Sequence, residues 1–178
     1  MKAKKKWGQK LFLPFQYYHR MIKINEEFIS ITSDKAKISR RRRQNFNFHK
    51  EDSARLQRML NALELNTYIQ PHKHENPDKV EAFFVLRGRI LVVEFDDNGN
   101  ISDHIILEAG KGNYGAEIAP RIWHTIICLE AGSVAYEVKD GPYNAVIDKN
   151  FAPWAPAEGD DDCTSYINNI LKKLKIKL

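Results

Sequence analysis

The 178-residue sequence has only two cysteines and no long hydrophobic run. Cys128 stands in an apolar stretch and Cys163 in an acidic one, so we expect free thiols rather than a disulfide framework. No run approaches the roughly 20 apolar residues that cross a bilayer. The lysine-rich start is not followed by the apolar segment of a signal peptide. These absences predict a cytoplasmic protein without a membrane span.

Positive charge is concentrated at the start of the chain. The formal net charge is +5, and the first twenty residues contribute +6 through five lysines and one arginine, which leaves −1 for residues 21–178. Basic patches attract phosphate, but a solvated tail explains this one more simply. The chain also has no zinc-finger, RNP or helix-turn-helix signature. We therefore expect residues 1–20 to be a basic, poorly ordered extension, and we do not expect a nucleic-acid partner.

Residues 21–65 carry two helix patterns and are predicted to be a helical N-terminal part. Asn25 followed by two glutamates is typical of a helix N-cap, and the helix is expected to end near residue 37. A second helix is predicted after Asp52 or Ser53, because four apolar residues recur at the spacing of one helical face. These residues are Leu56, Met59, Leu60 and Leu63.

Residues 66–159 change to short runs rich in β-branched, aromatic and aliphatic residues, separated by turn residues. The runs are 67–69, 82–86, 90–95, 101–107, 122–129 and 134–138. Their close spacing without intervening helices predicts an antiparallel sandwich or closed barrel. In residues 160–178, which pass from acidic to basic, helix-spaced apolar residues after Thr164 predict a short helix on the outside of the barrel.

Four residues of the β region form a candidate metal site. His72 and His74 are two residues apart, so both imidazoles point to the same face of an extended segment. Glu81 opens the next run, and His124 opens a later one. Three imidazoles and one carboxylate suit one divalent ion of Fe, Mn, Ni, Co or Zn and leave coordination positions for water or substrate. A His-x-His pair alone is commonly an idle surface feature, so the prediction rests on the joint arrangement.

Strand parity extends this site to further residues. If His72 and His74 face the barrel lumen, Tyr68 and Gln70 should face it too, and both become candidates for contact with a substrate. The same parity places Phe83 and Val85 beyond Glu81, and Ile126 and Cys128 beyond His124, in the lumen. For Tyr68 and Gln70, a purely structural role in lining the barrel is an equal alternative.

Two other groups are candidates for substrate contact. Asn47 and His49 share a side if extended, and the nearby Arg43 could neutralise a phosphate or carboxylate. The polar outer face of an N-terminal strand explains them equally well. Lys139 and Tyr143 flank a Gly-Pro turn of a kind that can rim a pocket. The same turn could instead close the bottom of the barrel.

The metal-site spacing resembles the two cupin motifs. His72-x-His74, Glu81 and Gly88 are similar to the first motif, and the stretch from Gly115 to His124 is similar to the second. The sequence departs from the usual pattern in a longer gap before the glutamate and in the absence of the inner glycine of the second motif. These departures lie in loops and leave the ligand set intact.

Five further segments are similar to the WbuC family of cupin-fold metalloproteins. They are 42–49, 68–74, 95–99, 138–143 and 151–159. The resemblance covers about residues 21–159. It implies a mainly β, cupin-type antiparallel jelly-roll barrel with N-terminal helices and a short C-terminal helix. It also implies a homodimer, and a family often encoded among genes for O-antigen and other surface polysaccharides.

On this basis we expect a metal-binding cupin that acts on a small-molecule ligand in surface-polysaccharide biosynthesis. The expected ligand is a sugar, a nucleotide sugar or a small hydroxy-carbonyl metabolite, and the expected reaction is that of a metal-dependent isomerase, epimerase or oxygenase. A non-catalytic cupin that binds a small ligand or regulates a pathway is the alternative. A fold of this kind hosts many unrelated activities, so it does not decide between them.

Overall fold

The computed structural model describes residues 21–178, and the predicted basic extension at 1–20 lies outside the described residues. Among the described helices, none has the length and apolar character needed to span a membrane. The elements are α1 (Glu26–Ile38), β1 (Arg43–Asn47), β2 (Leu56–Leu63), β3 (His72–Lys73), β4 (Glu81–Arg87), β5 (Arg89–Phe95), β6 (Ile101–Glu108), β7 (Gly115–Ile118), β8 (Trp123–Cys128), β9 (Ser133–Asp140), β10 (Asn150–Phe151) and α2 (Cys163–Lys173).

The strands form two five-stranded antiparallel sheets. The first, sheet A, has the order β1-β2-β9-β4-β7, and the second, sheet B, has the order β10-β3-β8-β5-β6. Strands β2 to β9 are divided between the two sheets, four in each, and their order is the double Greek-key order of a jelly roll. The predicted mainly β, cupin-type jelly roll is therefore confirmed by the order of the strands.

Helix α1 begins where the sequence predicts. The side-chain oxygen of Asn25 accepts a hydrogen bond from the backbone N–H of Phe28 at 3.0 Å, and both following glutamates lie in the first turn. Ile29 and Ala36 pack against Leu60 and Val134. The helix thus covers the outer face of sheet A.

The second predicted N-terminal helix is wrong, because residues 56–63 form strand β2. This strand is buried on both faces. Leu60 packs under α1, whereas Leu63 points into the barrel core. A strand covered on both sides carries apolar residues without alternation, so its spacing imitated a helical stripe. Strands β1 and β2 therefore lie within the segment predicted to be helical.

The barrel core and the C-terminal helix follow the prediction more closely. Phe83 and Val85 of sheet A meet Ile126 and Cys128 of sheet B in one buried cluster, as strand parity requires. Helix α2 packs on the outer face of sheet B. Both cysteines are free and buried. Residues 67–69 were predicted as a strand but have no regular secondary structure.

Gly88 joins β4 to β5 and has φ +72, a left-handed conformation that costs other residues about 1–2 kcal/mol. A Cβ at this position would collide with the Ser133 side chain and lie 3.0 Å from the Ser133 Cα. Gly110 has a similar φ of +76 with no atom within 4 Å of an added Cβ. Substitutions at the two glycines therefore distinguish the cost of backbone strain from the cost of a steric collision.

We predict that Gly88→Ala lowers the free energy of unfolding by about 1–3 kcal/mol more than Gly110→Ala, because only the first adds overpacking to the backbone strain. Urea denaturation of both variants and the parent protein measures the difference. Equal losses in the two variants would show that Ser133 moves aside without cost.

Candidate metal centre

Four side chains meet where the two sheets face each other. His72 on β3 pairs directly with His124 on β8 in sheet B, and His74 lies just after the end of β3. Glu81 is the first residue of β4 in sheet A. One potential ligand atom from each residue lies within 4.8 Å of the others. All four residues are at most 3% exposed. The structure therefore brings together the four residues that the sequence singled out.

Backbone carbonyls fix the orientation of the three imidazoles. Nδ1 of His72 and Nδ1 of His124 each lie 2.9 Å from the carbonyl oxygen two residues earlier, and Nδ1 of His74 lies 2.5 Å from the carbonyl oxygen of Asp148. A carbonyl oxygen can only accept, so each Nδ1 carries a proton. In its neutral form each ring then presents the lone pair of Nε2, as ligating histidines do when a carbonyl holds their second nitrogen.

The Nε2 atoms and the Glu81 carboxylate converge. Oε2 of Glu81 is 2.9 Å from Nε2 of His124 and 3.2 Å from Nε2 of His74. Nε2 of His72 is buried and has no hydrogen-bond partner among the described residues. A neutral ring whose proton is on Nδ1 has no Nε2 proton to donate to Glu81. These close contacts therefore require either protonated rings or a cation at their centre. The donor set therefore fits a divalent metal ion.

The ionisation of the cluster agrees with this chemistry. Burial, together with the charge of Lys149, holds the pKa of His72 well below its usual value. Burial alone would raise the pKa of Glu81, but the adjacent nitrogens of His124 and His74 hold it well below its usual range. His72 is therefore a neutral imidazole and Glu81 a carboxylate at neutral pH, and these are the forms that bind metal.

A cavity of about 560 Å³ lies beside the cluster, bounded by the inner faces of β1, β2 and β9. This volume falls within the range of small-molecule sites. The four metal-site residues are not among those that line the cavity. The cavity and the metal site are instead linked by residues that contact both. Gln70 and Asp148 line the cavity and hold His72 and His74 through their carbonyl oxygens.

Six of the seven residues predicted to contact a substrate line this cavity. They are Arg43, Asn47, His49, Gln70, Lys139 and Tyr143. Contact with a ligand stays a prediction for all six, but their common location around one cavity is a finding.

Tyr68 is the exception, and its predicted position in the lumen is wrong. Its hydroxyl donates to the carbonyl oxygen of Pro156 at 2.7 Å, and its ring packs against Tyr166 of α2. Strand parity failed because the chain reaches β3 through an irregular segment, so Tyr68 points to the outer side of sheet B.

The cavity also contains charged groups that the sequence did not single out. Glu137 lies two residues before Lys139 on β9, and its Oε2 accepts from Nδ2 of Asn61 at 2.9 Å. Burial and the nearby Glu81 carboxylate raise the pKa of Glu137 to about 8. Parity from Lys139 would have found Glu137. No local pattern indicates Lys149, which reaches the cavity from an irregular segment.

One acidic residue, Glu158, closes the side of the cavity next to β1. Its carboxylate accepts from Arg41 Nε at 2.6 Å and from Arg43 Nη2 at 2.7 Å. Arg43 Nη1 also donates to the carbonyl oxygen of Tyr68 at 2.8 Å. The Arg43 guanidinium, predicted to neutralise a ligand, is therefore engaged within the protein.

A buried triad of charges lies behind His74. Asp148 accepts from Lys79 Nζ and Lys139 Nζ at 2.6 Å each, and these three side chains are at most 5% exposed. The carbonyl oxygen of the same Asp148 is the one that holds His74. The triad therefore fixes the backbone that orients one candidate metal ligand.

Residues 24–107 match the model of a family described as "Domain of unknown function (DUF6016)". A comparison with curated protein sequences found no match.

Several solved structures are similar to this chain. KdgF from Halomonas sp. has 15% identity and a TM-score of 0.46, covering 60% of this chain and 85% of that chain. L-ribose isomerase from Cellulomonas parahominis has 15% identity and a TM-score of 0.49, covering 66% and 72%. The Cnp3 cupin domain of Schizosaccharomyces pombe has 12% identity and a TM-score of 0.42, covering 55% and 60%.

We predict that Asp148→Asn lowers the free energy of unfolding by about 3–5 kcal/mol, because it removes the carboxylate that pairs directly with the buried ammonium groups of Lys79 and Lys139. Thermal or urea unfolding measures the loss. The matched control is Asp78→Asn, which breaks an ion pair with Arg121 whose side chains are 44% and 60% exposed. The control should cost about 1 kcal/mol or less. Similar losses in the two variants would mean that the triad contributes no more than a surface pair.

The Glu158 contacts predict a pH dependence of stability. Burial alone would raise the pKa of Glu158, but the hydrogen bonds from Arg41 and Arg43 lower it from 4.5 to about 2. A lowered folded-state pKa stabilises the fold above the unfolded-state pKa and loses that effect as the pH falls from about 4.5 towards 2.

We therefore expect Glu158→Gln to be less stable than the parent protein by a constant amount between pH 7 and pH 5, and the difference to shrink below that range. Urea denaturation across the pH series measures it. Glu117→Gln, an exposed substitution on β7, serves as the control. A difference for Glu158→Gln that stayed constant down to pH 3 would contradict the assignment.

Proposed function

We propose that this protein is a metal-dependent cupin enzyme that acts on a small hydroxy-carbonyl compound such as a sugar. One divalent ion would be held by Nε2 of the three histidines and by the carboxylate of Glu81. The observation that carries the proposal is the convergence of these four groups beside a polar cavity. When bound, the ion supplies a Lewis acid that polarises a carbonyl or hydroxyl oxygen.

The cavity lining favours an enzyme over a non-catalytic binding or regulatory cupin. Isomerisation of a hydroxy-carbonyl compound moves a proton between neighbouring carbon atoms, which requires an acid or base near the polarised oxygen. The carboxyl group of Glu137 and the ammonium group of Lys149 both line the cavity within electrostatic reach of Glu81. The amides of Asn47 and Gln70 offer donors and acceptors that match hydroxyl groups.

The resemblance to the WbuC family supports a narrower form of the proposal. In that form the protein is a cytoplasmic homodimer that isomerises or epimerises a sugar or nucleotide sugar during synthesis of an O-antigen-like surface polysaccharide. An oxygenase reaction is the alternative chemistry if the bound metal is iron.

We predict that the protein purified without added metal contains about one equivalent of a divalent transition metal, and that His72→Ala and His124→Ala lose most of it. Elemental analysis of all three proteins measures the content and identifies the metal. His104→Ala removes an exposed histidine on β6 and should leave the metal content unchanged. Equal metal content in all four proteins would refute the site.

Catalysis is tested separately in D₂O. Metal-loaded protein is incubated with aldoses, ketoses and nucleotide sugars, and proton NMR follows loss of the C–H signal next to the carbonyl carbon. Exchange with at least one compound is expected, and it should be absent in His72→Ala. Saturable binding without any exchange or conversion would favour the non-catalytic cupin.

A further inference from the structure

The cavity contains one cation that differs from its neighbours. Four lysine and arginine side chains line the cavity: Arg41, Arg43, Lys139 and Lys149. The two arginines share the Glu158 carboxylate, and Lys139 is bound to Asp148. No carboxylate of the described residues lies within 4 Å of the Lys149 ammonium. Lys149 is therefore the lining cation that is left for a ligand.

Lys149 is also close in the fold to one candidate metal ligand. Strand β10 begins at the next residue and pairs with β3, where Phe151 lies opposite His72. The Phe151 ring is 6.2 Å from the His72 ring. Charge coupling agrees with this placement, because burial and then the charge of Lys149 lower the pKa of His72. Lys149 thus lines the cavity beside the segment that carries His72.

The charged groups near the candidate metal centre are not balanced. Three lysines, Lys79, Lys139 and Lys149, are opposed by the carboxylates of Asp148 and Glu81, whereas Glu137, with its pKa raised to about 8, is largely uncharged at pH 7. A divalent ion adds two more positive charges to this region, where unbalanced charge is costly. An anionic ligand would offset this charge, and Lys149 is the lysine without a direct carboxylate partner among the described residues.

We propose that Lys149 forms an anion subsite beside the metal centre, and that the ligand of this protein is a polyhydroxy compound bearing a carboxylate or phosphate group. The anionic group pairs with the Lys149 ammonium while a hydroxyl or carbonyl group of the same molecule reaches the metal. This inference rests on the proposed metal-dependent function and specifies the class of its ligand.

Three compounds of similar size test the proposal: sorbitol, gluconate and sorbitol 6-phosphate. They differ in carrying no charge, a carboxylate or a phosphate. Isothermal titration calorimetry measures their binding to the parent protein and to Lys149→Met, Lys149→Arg and Lys111→Met, each in the metal-free and the zinc-loaded form. Lys111 is an exposed lysine outside the cavity lining, so its variant controls for the general loss of one positive charge.

We expect at least one anionic compound to bind more tightly than sorbitol, and Lys149→Met to weaken its binding by about tenfold or more, the effect of losing a charged hydrogen bond. Lys149→Arg should retain most of the affinity, and Lys111→Met should behave like the parent protein. Sorbitol binding should be insensitive to both lysines. Preferential binding of gluconate or of sorbitol 6-phosphate distinguishes a carboxylate ligand from a phosphate ligand.

Equal affinities of the parent protein and Lys149→Met for both anions, including no measurable binding by either, would overturn the subsite. Metal content is measured on the same samples, so failure of the metal centre is seen separately as absence of zinc uptake. A Lys149→Met variant that retains zinc but loses the anion preference is the result that supports the proposal.

Discussion

The close approach of four potential metal-ligand atoms is the constraint on which this end of the barrel depends. Three imidazole nitrogens and one carboxylate oxygen are held within 4.8 Å of one another, away from water. The protein maintains this arrangement by giving each Nδ1 a backbone carbonyl to bind. Strand β3 has only two residues, so the side-chain contacts of His72 and His74 position this segment as much as its ladder does.

A second layer of charge supports the first. The carbonyl oxygen that orients His74 belongs to Asp148, and the carboxylate of the same residue is bound by two buried lysines. The backbone and side chain of one residue therefore link the metal-site geometry to the electrostatics of the cavity wall. Glu158 has a similar structural role next to β1, where it binds the guanidinium groups of two arginines that line the cavity.

The sequence predicted those parts of the fold and of the site that depend on local geometry. The two-residue spacing of His72 and His74 follows from the period of an extended chain, and the Asn25 cap follows from the chemistry of a helix terminus. Strand β2 was mistaken for a helix because its burial on both faces removed the alternation that identifies a strand. Lys149 and Glu158 could not be found, because irregular segments bring them to the cavity and such paths leave no periodic signal.

The double burial of β2 has a consequence for how this protein can change. Leu60 supports α1, Asn61 binds the Glu137 carboxylate and Leu63 fills the barrel core, so neighbouring positions serve three different environments. A substitution there perturbs the helix, the cavity or the core, whichever face it occupies. The exposed positions of β6 lie at the edge of sheet B and are not restricted by buried contacts of this kind. Sequence variation among functional versions of this fold should therefore accumulate on β6 and be scarce on β2.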